Sequence, residues 1–409
     1  MVSRPCDGRE RTSIQTTLTD HRAAFTSGTC SALHEAYTDL HKQILSGQAA
    51  QRYLMYVSPP SGIADRLAGL MSAFMIALLT QRALLIAPYP MPYELLYDQP
   101  FINWTTTRPT DPEMAPCAND SSTPPGVMVY GNCAVCVGDG GRTVSYMNWI
   151  NKQQARNWHT TAEFGQVFPN VHTLYYSSNV GATVTMFHNI HHQRTLYEKF
   201  RLRPSTAFGC MYNYLFFPKP ETLAVVQNQV WEVLAAELVI GVQIRTDDRY
   251  MRNNADMDPS AVEPYKKNFA CAQSLERALG VSASPSLKVR WLLVADSGTV
   301  RHRALEWYGD KIITYTASKP THVSSSGTED ILGSRLAAAE HWMFGMTDYQ
   351  VIAWWSGYGR TASMRSLRES SVLAIRDEVN ADACAPSTTE HAWALGTSYS
   401  GVRHRAAWL

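Results

Sequence analysis

Residues 53–88 constrain the fold most. Tyr53–Val57 is a short apolar run of β-formers, and Ser58-Pro59-Pro60-Ser61-Gly62 breaks it. Leu67, Leu70, Met71, Phe74, Met75 and Leu78 then recur at helical spacing, and Ala83–Ala87 is a second strand-like run. A strand, a tight loop, a helix with an apolar stripe and another strand make a right-handed crossover, which needs a parallel sheet. Ser61 is expected to cap the helix, with Asp65 in its first turn. The apolar stretch Leu67–Thr80 is interrupted by Gln81-Arg82 before Ala83–Pro88. That is too short for ~30 Å of hydrocarbon, so it reads as a core helix and a core strand.

The same alternation returns later. Glu237–Arg245, Arg290–Asp296, Lys311–Thr316 and Tyr349–Trp355 are strand-like. Ile331, Leu332, Leu336, Ala339, Met343 and Met346 mark a helix, and another is expected from about Thr361. At 409 residues the chain exceeds one ordinary core, so the pattern predicts two α/β domains around a cleft. The expected division is a lead-in over 1–50 (helical or loose), an N-terminal domain over 51–225, a C-terminal domain over 226–370 and a strand with a tail over 371–409. Residues 105–145, rich in Pro, Thr, Asn and Gly, read as an insertion. The aromatic-rich segment 146–225 has no clear period and is the expected place for acceptor contacts.

Composition excludes some partners. Lys+Arg 36 against Asp+Glu 35 leaves a formal charge of +1, which does not suit a nucleic-acid backbone or an anionic membrane but permits one local basic site. Eight cysteines and two sequons, at Asn103-Trp104-Thr105 and Asn119-Asp120-Ser121, favour an oxidising, secretory setting. Residues 1–20 lack the apolar core of a signal peptide, and no membrane anchor is seen.

Three polar clusters fall at expected strand ends, where open α/β sheets bind ligands. Arg245, followed by Asp247 and Asp248, offers a permanent charge for a diphosphate, or a structural ion pair with a carboxylate. In Ala295-Asp296-Ser297-Gly298, Asp296 suits ribose hydroxyls or a base edge, but a cap for the next helix is the preferred reading. Ser356-Gly357-Tyr358-Gly359 precedes a helix and exposes backbone amides toward an anion. The dinucleotide fingerprint and the P-loop are absent. His188, His191 and His192 have metal-compatible spacing but no carboxylate or cysteine beside them, so ordinary surface or core histidines are preferred. A disulfide joining Cys117 to Cys133 or Cys136 is preferred over redox chemistry.

In order and spacing these pieces resemble the fucosyltransferases of the plant cell-wall (xyloglucan) type, and more distantly the α1,6- and protein-O-fucosyltransferases. The match is carried by Gly62–Ile86, by Gly241–Asp248 (GVQIRTDD), by Leu292–Ser297 (LLVADS) and by Ala339–Gly359. Where the plant pattern has Ser-Thr-Phe-Gly, this chain has Ser356-Gly357-Tyr358-Gly359. The resemblance implies a GT-B fold, two Rossmann-like domains with GDP-fucose mainly on the second. It also implies an inverting, metal-independent transfer without a cofactor, to a glycan or glycoprotein acceptor, in the Golgi lumen and in cell-wall biogenesis. Arg245 would then hold the donor diphosphate, with Asp247 or Asp248 as the candidate base. Asp296 and Ser297 would lie near the nucleoside, Ser356, Gly357 and Tyr358 at the diphosphate, and Gly62, Asp65 and Arg66 along the cleft. The alternatives are another nucleotide sugar on the same fold, or a binding protein that has lost catalysis.

Overall fold

The computed structural model describes residues 18–88, 91–105, 136–137, 143–149, 152–167, 170–179, 181–246, 256–281, 287–321, 330–353, 355–368 and 371–375. Most of the expected insertion 105–145 and most of the tail beyond 371 therefore lie outside the described residues, as do Asn119, Cys117 and Cys133.

Two five-stranded sheets form the frame. The first contains β1 (Tyr53–Tyr56), β2 (Ala83–Ile86), β3 (Cys136–Val137), β4 (Thr143–Trp149) and β5 (Thr173–Ser178), in the order β2-β1-β5-β4-β3. Every pairing is parallel except β3 with β4. The second contains β6 (Leu238–Ile244), β7 (Val289–Ala295), β8 (Ile312–Ile313), β9 (Tyr349–Ala353) and β10 (Val372–Ile375), all parallel, in the order β8-β7-β6-β9-β10. The run expected as Lys311–Thr316 shortens to two residues. A 3₁₀ turn occupies Gly309–Lys311, and Thr314 turns its hydroxyl to the Leu293 carbonyl at 2.8 Å.

The crossover helix α1 (Ile63–Thr80) joins β1 to β2 as the spacing predicts. Its cap is Gly62 rather than Ser61. Gly62 is the extended residue before the first turn, and its carbonyl accepts the first helical amide, that of Arg66, at 3.1 Å. Asp65 stands in that turn. The expected one-face stripe understates the packing, since 16 of 18 residues are buried. The sheet lies under α1, while α2 (Ala207–Leu215) and α5 (Gly357–Met364) also pack on it. At Gly69 a Cβ would come within 1.8 Å of the Ser178 carbonyl oxygen, so only glycine lets α1 approach the end of β5.

The lead-in is part of this core. Leu33, Tyr37 and Ile44 of the helix Ser31–Leu45 are buried. Tyr37 donates to the Arg82 carbonyl at 2.6 Å, and His41 Nε2 donates to the Leu84 carbonyl at 2.9 Å. Cys30 is disulfide-bonded to Cys210 on α2, a pairing the sequence does not indicate. The aromatics around α2 also point inward. Tyr214 stacks on Phe74 at 5.5 Å and on Phe101 at 5.1 Å, and Tyr93 stacks on Phe216 at 5.5 Å. Much of the aromatic richness of segment 146–225 therefore builds core.

Candidate functional site

Parallel strands present all their carboxyl ends at one edge. In the second sheet Ile244 pairs with Ala295, and Val242 with Val351. This register brings Arg245, Asp296 and Ser356 to the same edge, although they are far apart in sequence.

Asp296 organises the edge. Its Oδ1 accepts the Thr246 amide at 2.8 Å and the Thr246 hydroxyl at 2.9 Å, while Oδ2 lies 3.2 Å from Arg245 Nη1. The Asp296 side chain is 7% exposed, and that of Arg245 is 21% exposed. Burial pushes the Asp296 carboxyl above its ordinary range, a shift that the Arg245 charge and the Thr246 hydrogen bonds partly offset. Asp296 thus fixes the end of β6 and the guanidinium that extends from it. Capping falls to its neighbour Ser297, whose Oγ accepts the Val300 amide at the start of α3 (Gly298–Tyr308). Asp247 and Asp248 lie outside the described residues.

The third cluster starts a helix, but earlier than Thr361. Ser356 caps α5, its Oγ accepting the Gly359 amide at 3.3 Å. That oxygen accepts within the first turn, and Gly357 opens the helix, where the N-terminal partial charge is positive. Gly359 permits close packing: a Cβ there would meet Gln243 Oε1 at 2.6 Å. Gln243 Oε1 also accepts the Ala353 amide at 3.3 Å, tying β9 to β6 two residues before Arg245. Tyr358 turns inward and donates to the Ala337 carbonyl at 2.6 Å on α4 (Ile331–Phe344). Its hydroxyl therefore serves helix packing. Trp355, beside Ser356, keeps 45% of its surface exposed.

On the first sheet the three expected residues divide. Gly62 and Asp65 are half-buried, and a Cβ on Gly62 would meet nothing within 4 Å. Arg66 is fully buried, donating from Nε to the Pro59 carbonyl at 3.1 Å and from Nη1 to Met91 Sδ at 3.2 Å. It pins the loop between β1 and α1.

The histidine triplet disperses. His192 is buried and accepts the Phe164 amide at 3.0 Å, whereas His188 and His191 are exposed. Burial lowers the His192 pKa. Among the described residues no group of three or more His, Cys, Asp or Glu gathers as a metal site.

Two important residues escaped the sequence reading. Arg301 on α3 and Glu340 on α4 form a buried bidentate pair, with Nη1–Oε1 at 2.5 Å and Nη2–Oε2 at 2.9 Å. The available signal was a glutamate directly after the apolar run Leu336–Ala339.

A profile of the family described as Xyloglucan fucosyltransferase matches residues 26–392. Fucosyltransferase 2 of Arabidopsis thaliana is 24% identical over 341 residues, covering 76% of this chain. The chain spans 60% of that relative's length. Among solved structures, an arginine-to-lysine mutant of Arabidopsis thaliana FUT1 in complex with GDP superposes with a TM-score of 0.55 at 17% identity, covering 89% of this chain and 79% of the other. That likeness establishes the GT-B architecture, with the two parallel sheets as its Rossmann-like layers.

Proposed function

The chain belongs to the xyloglucan fucosyltransferase family, and from that premise we propose that it transfers fucose from GDP-fucose to a hydroxyl of a glycan or glycoprotein, with inversion and without a metal ion. The observation that carries this reading is Arg245, held by Asp296 at the carboxyl edge of the second sheet, which Ser356 and Gly357 share.

In this reading the acceptor oxygen attacks the anomeric carbon from the face opposite GDP. The bond from that carbon to the β-phosphate oxygen breaks, and its electron pair leaves on GDP. Arg245 and the amides at the start of α5 take up the charge that grows there, which favours the transition state over the bound donor. The acceptor proton passes to a carboxylate, for which Asp247 and Asp248 are the candidates. Asp296 serves the donor through Arg245 and Thr246. Gly62 and Asp65 line the cleft opposite, and Ser297 supports the nucleoside side by starting α3. The disulfide and the exposed sequon residue Asn103, whose Oδ1 accepts the Thr105 amide at 3.2 Å, support a secretory, Golgi-lumen setting.

A thermal-shift panel of GDP, UDP, ADP and CMP tests the donor. GDP at a hundred times its Kd adds about 2.7 kcal/mol of apparent stability, and Arg245→Ala removes the shift. A shift with UDP alone indicates a different nucleotide sugar. A GDP shift without turnover of GDP-fucose indicates a binding protein.

A further inference from the structure

The edge that carries Arg245 is braced from beneath. Arg301 donates to the Ala295 carbonyl from Nε at 2.9 Å and from Nη2 at 2.5 Å, and to the Tyr315 carbonyl from Nη1 at 2.8 Å. Its two remaining contacts are the fork on Glu340, and the two side chains are 2% and 5% exposed. Ala295 is the last residue of β7 and directly precedes Asp296. The helix that bears Glu340 also receives the Tyr358 hydroxyl at Ala337, and its His341 Nε2 meets the Thr361 hydroxyl at 2.9 Å. One helix therefore grips both the strand end below Asp296 and the helix that starts at Ser356.

A buried ion pair gains little net stability over apolar side chains of the same shape. What it does supply is direction, because a carboxylate fork fixes the plane of a guanidinium. Here that plane aims three hydrogen bonds, two at the end of β7 and one at the Tyr315 carbonyl just beyond β8. A carbonyl held on one side of a peptide fixes where the next side chain starts.

We propose that Glu340 is a positioning residue for the donor site: it orients Arg301, Arg301 fixes the Ala295 carbonyl, and the resulting placement of Asp296 sets Thr246 and Arg245. Neither Glu340 nor Arg301 touches the donor. The inference rests on the reading of this edge as the GDP-fucose site, and it predicts a loss of affinity without a loss of folded protein.

The test uses two variants of the full chain. Glu340→Gln keeps the shape and removes the charge. Arg301→Met combined with Glu340→Leu replaces the pair by apolar groups and leaves both carbonyls without their donor. GDP affinity and stoichiometry come from calorimetry, and exchange of the Thr246 amide from hydrogen–deuterium mass spectrometry. In Glu340→Gln, GDP binds about tenfold more weakly at unchanged stoichiometry, and Thr246 exchanges faster. The double variant melts below the parent, because the Ala295 and Tyr315 carbonyls lose their donor, stays folded, and shows the same loss of affinity. A double variant that recovers wild-type GDP affinity overturns the proposal, since the pair would then only stabilise the fold. Unchanged Thr246 exchange in Glu340→Gln overturns it as well, whatever the ligand. Failure of the unsubstituted protein to bind GDP refutes the donor reading, while the exchange measurement still decides the positioning claim.

Discussion

The two parallel sheets finish differently at their carboxyl edges. At the first, protein atoms close the edge: Tyr56 donates to the Arg66 carbonyl at 2.7 Å, Gly69 lies against the Ser178 carbonyl, and Arg66 is fully buried. At the second, Arg245 keeps 21% of its side chain exposed beside the Asp296 carboxylate. Both edges carry an arginine from a motif that the sequence singles out. The first cation is consumed by packing, and the second is held in place while still facing solvent. This contrast supports the proposal that the donor phosphates sit at the second sheet.

The sharpest way to break this contrast is to remove each arginine. Arg245→Ala should lower kcat/KM for GDP-fucose by about 10²–10³-fold, with a smaller loss of stability, since Asp296 keeps its two Thr246 hydrogen bonds. Arg66→Met should do the reverse, costing about 2–4 kcal/mol in a denaturant titration through lost hydrogen bonds to a buried charge. If Arg66→Met instead folds normally and loses GDP, the first edge is a ligand site and the comparison fails.

Gly69 and Gly62 give a smaller version of the same contrast, on one helix. Gly69→Ala should cost about 1–3 kcal/mol, because its Cβ collides with rigid backbone. Gly62→Ala should stay within about 0.5 kcal/mol of the parent, because its Cβ meets open space. Chemical denaturation of the two variants side by side checks the pair.

Acidity should affect the packing before the site. Burial lowers the pKa of His21 and His41 to about 4 and of His341 to about 3. These side chains stay neutral in the fold, whereas in the unfolded chain they take up protons below about 6.5. The unfolded state then binds more protons, so stability falls as pH drops from about 6.5 toward 4, and the loss is absent above that window. Melting temperature followed across this range should decline, and His41→Gln should make the decline shallower.

Legibility in the sequence followed the range of the forces involved. The βαβ unit was readable because strand, break and helical period are local patterns. So were the strands that lead into Arg245 and Asp296. The true cap at Gly62 and the start of α5 at Gly357 were not, since each turns on backbone angles and bonds that shift a boundary by a few residues, and the burial of α1 on nearly all sides was not, since it depends on partners distant in sequence. The Cys30–Cys210 bond spans 180 residues and leaves no spacing signature. Its removal should cost about 3–5 kcal/mol, as expected for opening a long loop in the unfolded chain, and denaturant unfolding of a Cys30→Ser, Cys210→Ser double variant beside the parent measures it.

The sequence by itself determined the alternation of strands and helices, the family resemblance and the three polar clusters at strand ends, because side-chain periodicity and turn residues act over a few positions. Only the tertiary structure decided what each cluster residue does. Asp296 serves Arg245 and Thr246, Ser297 and Ser356 cap helices, and Tyr358 faces α4. A polar side chain's role is set by the partner it reaches when water is excluded, and the parallel register of β6, β7 and β9 chooses that partner.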